Sequence, residues 1–207
     1  MSTNPDSTQG RPRTGGRNRN EDAHHSVLEA TTALLIENGY GPLTIEGVAK
    51  RSGVAKSTIY RWWKSKPDLV MDAYAHETAT RVPEPDTGTL TGDLTAFLTD
   101  LYLIGNSPTR TKALTGLMAE AQLDPAFAQP FRAWTATRRD IVTHLLTRAV
   151  TRGEIPATTD LAHATDLVFG PFWYRLLIGH APLDPAQAEA HATTVLHGLM
   201  TPSTKSL

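Results

Sequence analysis

Cysteine is absent from the 207-residue chain. Disulfide frameworks, thiolate nucleophiles and cysteine-ligated zinc are thereby excluded. Long apolar runs are also missing. The most apolar stretch, "LVFGPFWYRLLI" from Leu167 to Ile178, is interrupted by Arg175 and falls short of the ~20 residues a membrane span needs. The opening "MSTNPDSTQGRPRTGG" has no apolar core of the kind found in a secretory signal. The expectation is a cytoplasmic, soluble protein with no membrane partner. Strand-like alternation and internal repeats are not visible either, so the expected fold is all-α, with about nine helices. Net charge is only −1, but its distribution is uneven. Between Tyr40 and Lys66 there are six Lys/Arg against one acid, Glu46, whereas from Pro83 onward nine Lys/Arg face twelve Asp/Glu.

Residues 1–20 are rich in Ser, Thr, Asn, Gly, Pro and Arg, with Met1 as the one clearly apolar side chain. Such a segment cannot bury enough surface to offset its ordering entropy, and disorder is expected. Its Arg11, Arg13, Arg17 and Arg19 fit either a solvated tail or an arm that reaches a groove or phosphate. Residues 21–82 then read as four helices. Val27, Leu28, Thr31, Leu34 and Leu35 give a first apolar face, closed by the breaker "NGYG". Thr44 is placed to cap a second helix, Gly53 to end it, and Pro67 to open a fourth. "VPEPDTGT" (82–89) reads as a linker, and residues 83–207 as a larger helical domain.

The third helix lies in "GVAKSTIYRWWKSK", where aromatics and cations are interleaved. Projected at 100° per residue, Ala55, Ile59 and Trp63 fall inward while Lys56, Ser57, Tyr60 and Arg61 point out. The outward set carries donors for phosphates and base edges, as the second helix of a helix-turn-helix pair does. Residues 43–70, "LTIEGVAKRSGVAKSTIYRWWKSKPDLV", resemble the signature of the TetR family of transcriptional regulators. Thr44, Ala49, Gly53, Val54, Ile59, Tyr60, Trp63, Lys66 and Leu69 all fall at that family's spacing. The resemblance implies a homodimer on a palindromic operator in double-stranded DNA, released when a small-molecule effector enters the C-terminal domain. It also implies DNA contacts from Thr44, Lys56, Ser57, Thr58, Tyr60, Arg61, Trp62 and Lys66. Glu46 departs from the pattern, since a carboxylate facing phosphate is repulsive. It would either accept from a cytosine amine or favour the N-terminus of its own helix. Trp62 either stacks near sugar-phosphate or joins the core.

Residues 83–207 show no nucleophile triad, phosphate loop or paired carboxylates, so no catalysis, cofactor or metal is assigned. His163 with Asp166 and His180 with Asp184 have helical spacings, but two groups each read better as capping or surface residues. Phe97, Tyr102, Met118, Phe131, Trp134, Phe172 and Trp173 form either a packed core or, as the resemblance implies, the wall of a ligand pocket. Arg138 interrupts the stripe of Phe131, Trp134, Ile141 and Leu145, where a hydrophobe is due. It snorkels, pairs with an internal acid, or meets a ligand that is anionic or accepts hydrogen bonds. Residues 167–184 resemble the penultimate-helix region of one TetR subgroup, which implies a two-fold interface made with the last helix through Phe169, Leu177, Val195 and Leu199. The competing function is a helical lipophile-binding protein without operator-specific DNA binding.

Overall fold

The computed structural model of the chain describes residues 15–200, with side chains from residue 20 onward. Among these residues there are nine α-helices, one short 3₁₀ turn and no strand. Four helices make the first unit: α1 (Gly15–Asn38), α2 (Ile45–Ser52), α3 (Lys56–Trp62) and α4 (Lys66–Arg81). Five make the second: α5 (Leu90–Gly105), α6 (Pro108–Leu123), α7 (Pro125–Arg152), α8 (Leu161–Ile178) and α9 (Ala188–Met200). The segment expected to be disordered is cut short, because α1 already begins at Gly15 and includes Arg17 and Arg19. Arg11 and Arg13 lie outside the described residues.

Local chemistry sets the boundaries around α2 and α3. Thr44 is extended (φ −129°, ψ 153°), and its hydroxyl accepts from Gly47 N at 3.0 Å, which satisfies one of the free N–H groups of α2. Gly53 closes α2 with φ 71°, a left-handed conformation that costs little only without a Cβ. The turn it makes sets α3 across the end of α2. Ile59 is fully buried and Trp63 nearly so, and the Trp63 indole N–H donates to Asp72 of α4 at 2.8 Å. Val27, Leu35, Val48, Ile59 and Leu69 pack together as the core of this unit. Ala55 differs from its expected inward position. It is the N-cap of α3 and is exposed, because the helix begins one residue later than the projection assumes.

The linker 83–89 is pinned onto α7. Glu84 pairs with Arg148 at 2.6 Å, and the fully buried Asp93 accepts from Thr87 N at 2.6 Å and from Thr87 Oγ1 at 2.8 Å. In the second unit α9 packs chiefly on α5, burying Ala188, Ala192 and Val195. Helix α8 continues through Pro171 and buries Val168, Phe169, Phe172 and Leu176. Its other side leaves Leu167, Tyr174, Leu177 and Ile178 exposed. Among the described residues no helix is long and apolar enough to cross a membrane.

Candidate DNA-binding face and ligand cavity

Lys56, Ser57, Tyr60 and Arg61 share the exposed face of α3, with Thr58 half-buried at its edge. Tyr60 is 43% exposed, the Lys56 ammonium lies 5.7 Å from its ring centroid, and Arg61 lies over Trp62 at 5.9 Å. Trp62 is half-buried, set edge-on to Trp63 and His24, so one side packs while the other stays near the exposed face. Thr44 is exposed at the start of α2 even though its hydroxyl is occupied as a cap. These side chains form a contiguous surface of hydroxyls and cations carried on one short helix and its neighbour's N-terminus.

Two residues behave differently from the expectation of free contact. Lys66 turns back and donates to Tyr40 O at 2.7 Å and Gly41 O at 3.3 Å, with its ammonium 3.9 Å from the Tyr40 ring centroid. It therefore ties the start of α4 to the loop that follows α1, and burial pulls its pKa below the ordinary lysine value. The Tyr40 ring in turn meets Phe127 of α7 edge-on at 4.9 Å, which links this anchor to the second unit. Glu46 lies in the first turn of α2, where a carboxylate favours the helix N-terminus as one of its two sequence readings holds, and it also forms an exposed ion pair with Lys56 that neither reading included. The hydrogen bond from Lys56 holds the Glu46 carboxyl below the usual carboxylate range. Glu46→Gln is expected to release Lys56 for phosphate. Operator affinity at low salt should rise, and the slope of log affinity against log salt should steepen by about one unit. Titration of a labelled operator at several salt concentrations checks this.

A cavity of about 230 Å³ lies between α4, α5, α6, α7 and α8. Trp134, Arg138, Phe172 and Trp173 line it, as do Tyr74, Thr78 and Val82, which the sequence did not single out. Four residues expected at a pocket are placed elsewhere. Phe97 and Tyr102 are fully packed behind the wall, Phe97 edge-on to Phe169 and Tyr102 stacked on Phe172 and bonded to His191 Nδ1 at 2.8 Å. Met118 packs against the core, and Phe131 lines a shallower groove with Arg132 and Ala136. Phe169, expected at a dimer surface, turns inward to line the cavity, and Val195 is buried against the core. Leu177 is 43% exposed and Leu199 half-buried.

Arg138 is 8% exposed and donates to Val82 O at 2.7 Å, with its guanidinium 5.7 Å from the Phe97 centroid. Desolvation lowers its pKa from the ordinary arginine value. Arg139 pairs with Asp166, two exposed side chains at the cavity's outer edge. Trp134 Nε1 donates to Thr78 Oγ1 at 3.3 Å, while Tyr74, 3% exposed, has a hydroxyl with no hydrogen-bond partner.

An exposed helix-turn-helix joined by one continuous helix to a cavity-bearing helical domain is the architecture of a ligand-responsive transcriptional regulator. Sequence comparison agrees. Residues 27–73 match the model of bacterial regulatory proteins of the tetR family, and residues 84–195 match the tetracyclin repressor-like C-terminal domain. The chain belongs to the TetR family. It is 36% identical over 166 residues to the uncharacterized HTH-type transcriptional regulator YdeS of Bacillus subtilis, covering 79% of this chain and 82% of that one. It is 32% identical over 134 residues to the HTH-type transcriptional regulator AqdR of Rhodococcus erythropolis, covering 65% and 64% respectively. The crystal structure of the TetR family transcription regulator SCO0332 superposes with a TM-score of 0.77 at 34% identity, covering 87% of this chain and all of that one.

Proposed function

We propose that the chain is a homodimeric repressor that holds a palindromic operator and releases it when a small molecule fills the cavity. The observation that carries this reading is the span of α4. Its first residue, Lys66, is anchored to the DNA-binding unit, and its Tyr74 and Thr78 line the cavity. A ligand that moves Tyr74 or Thr78 therefore acts on the same rigid element that orients α3. Only a difference in ligand affinity between the operator-competent and incompetent arrangements can shift that balance, typically by ~1–3 kcal/mol of coupling. The dimer presents two α3 helices at successive major grooves, one DNA turn or about 34–36 Å apart for adjacent half-sites.

DNA contact is assigned to Thr44, Lys56, Ser57, Thr58, Tyr60, Arg61, Trp62 and Lys66. Lys66 uses two of its N–H groups on carbonyls and keeps a third for phosphate. Selection of bound duplexes from random DNA with the purified protein tests the reading and yields the operator. Recovery of no preferred duplex would leave a lipophile-binding protein as the better description. On the selected operator, Tyr60→Phe is expected to weaken binding by about three- to tenfold for every sequence variant, because it removes one phosphate hydrogen bond. Lys66→Ala should also flatten the salt slope by about one unit. Unaltered affinity in both folded variants would displace this docking.

A further inference from the structure

Arg138 and Tyr74 set a problem that the protein does not solve by itself. The guanidinium is nearly buried, and its single hydrogen bond goes to a neutral carbonyl, Val82 O. No carboxylate among the described residues pairs with it; the nearby acid at the cavity, Asp166, is taken by Arg139. The Tyr74 hydroxyl is buried with no partner at all. Burial and the neighbouring Glu77 raise its pKa well above the ordinary tyrosine value, so it remains a protonated donor. Leaving such donors unmade costs far more than an exposed pair would gain. Two donors that line one cavity, one of them charged, are what an anionic acceptor requires.

The rest of the cavity restricts the ligand further. Trp134, Phe172, Trp173 and Phe169 present aromatic surface, suited to a flat ring held by offset or edge contacts. The volume of about 230 Å³ lies below the ~300–1,000 Å³ typical of sites for drug-sized molecules, so the occupant is compact. A cation would meet the unpaired Arg138. A neutral hydrocarbon would seal both donors away from water without a partner.

We infer that the effector is a compact aromatic acid bound as its anion, its carboxylate or equivalent oxyanion clamped between the Arg138 guanidinium and the Tyr74 hydroxyl. This rests on the cavity being the effector site. Because Tyr74 belongs to α4, closing the clamp pulls directly on the helix that positions α3.

The test is calorimetric titration of the full chain with benzoate and naphthoate and with their matched amides, on wild type, Arg138→Met and Tyr74→Phe. An acid should bind the wild type at least about tenfold more tightly than its amide, the value of a charge-assisted hydrogen bond. Arg138→Met should abolish that preference while leaving amide binding in place, and Tyr74→Phe should weaken the acid by about tenfold. Should Arg138→Met fail to fold, Arg138→Gln, which keeps a hydrogen-bond donor to Val82 O and removes the charge, takes its place. Equal affinity for acid and amide in the wild type, an unchanged preference in Arg138→Met, or no binding of either acid would overturn the inference. Operator release is scored separately. Acids that bind with the expected preference yet leave the operator bound would keep the clamp and sink the regulatory reading. Amides that release the operator as well as acids do would have the opposite effect.

Discussion

Leu177→Asp combined with Ile178→Asp is expected to give a folded monomer that has lost tight operator binding. Both side chains are exposed in the single chain, at 43% and 62%, beside Tyr174 at 61% and Leu167 at 41% on the same helix. A monomer of this size rarely leaves so many large apolar side chains together on one helix face without a partner. Exposed positions tolerate aspartate without a cavity or a buried charge, so the second unit should keep its helicity and its melting cooperativity. A two-fold interface covering this face would instead bury two carboxylates per protomer, which is costly without partners. Losing the dimer converts two linked half-site contacts into one, and affinity should fall by roughly 10²–10⁴-fold. Sedimentation separates the outcomes: a dimer that survives both substitutions would place the interface on another face. Val195, the other residue expected at this surface, is unsuitable for the experiment because it is buried, and aspartate there would unfold the domain rather than report on association.

The contrast between Leu177 and Val195 shows where periodicity stops being informative. Helix α8 is apolar on nearly every side, so the pattern alone could not say which side meets the core. Phe169 went inward and Leu177 outward. The stripe of Ala188, Ala192 and Val195 was legible as a face, but small residues serve equally well in a core or an interface, and here they seat α9 on α5. The α3 face was easier to read, because charged and hydroxyl side chains alternate with Ile59 and Trp63 at helical spacing and only one side can be buried. Arg138 was conspicuous as a cation on an apolar stripe. Tyr74 and Thr78 were not, because α4 reads as part of the DNA-binding unit and a tyrosine on its inner face looks like ordinary core. Their polar tips were the available signal. The Glu46–Lys56 pair was hidden for another reason: the two residues meet only once the turn at Gly53 folds α3 back beside α2.

Asp93→Ala is expected to be among the most destabilising single changes in the protein, by roughly 3–5 kcal/mol near neutral pH, because it removes one side of a buried charge network. The carboxylate is fully buried at the start of α5. It accepts both the N–H and the hydroxyl of Thr87, and the guanidinium groups of Arg148 and Arg152 each approach to 3.4 Å. Those partners come from the linker and from the end of α7, so Asp93 pins the linker onto the second unit. Arg148 and Arg152 are 31% and 28% exposed and retain some water when unpaired, which favours the lower end of the range. Burial alone would raise the Asp93 pKa, but the Thr87 hydrogen bonds and Arg148 outweigh it and hold the carboxyl below the ordinary aspartate value. A carboxyl with a folded pKa lower than its unfolded one contributes stability that is fully present above the unfolded pKa. That contribution is lost as pH falls through the folded pKa. The gap between wild type and Asp93→Ala should therefore be widest near neutrality and shrink below about pH 4, where unfolded aspartates take up protons. Urea unfolding of both proteins at a series of pH values measures the gap directly. A difference that stays constant down to about pH 2 would mean that shape and hydrogen bonding at this position, rather than the charge, hold the linker to α7.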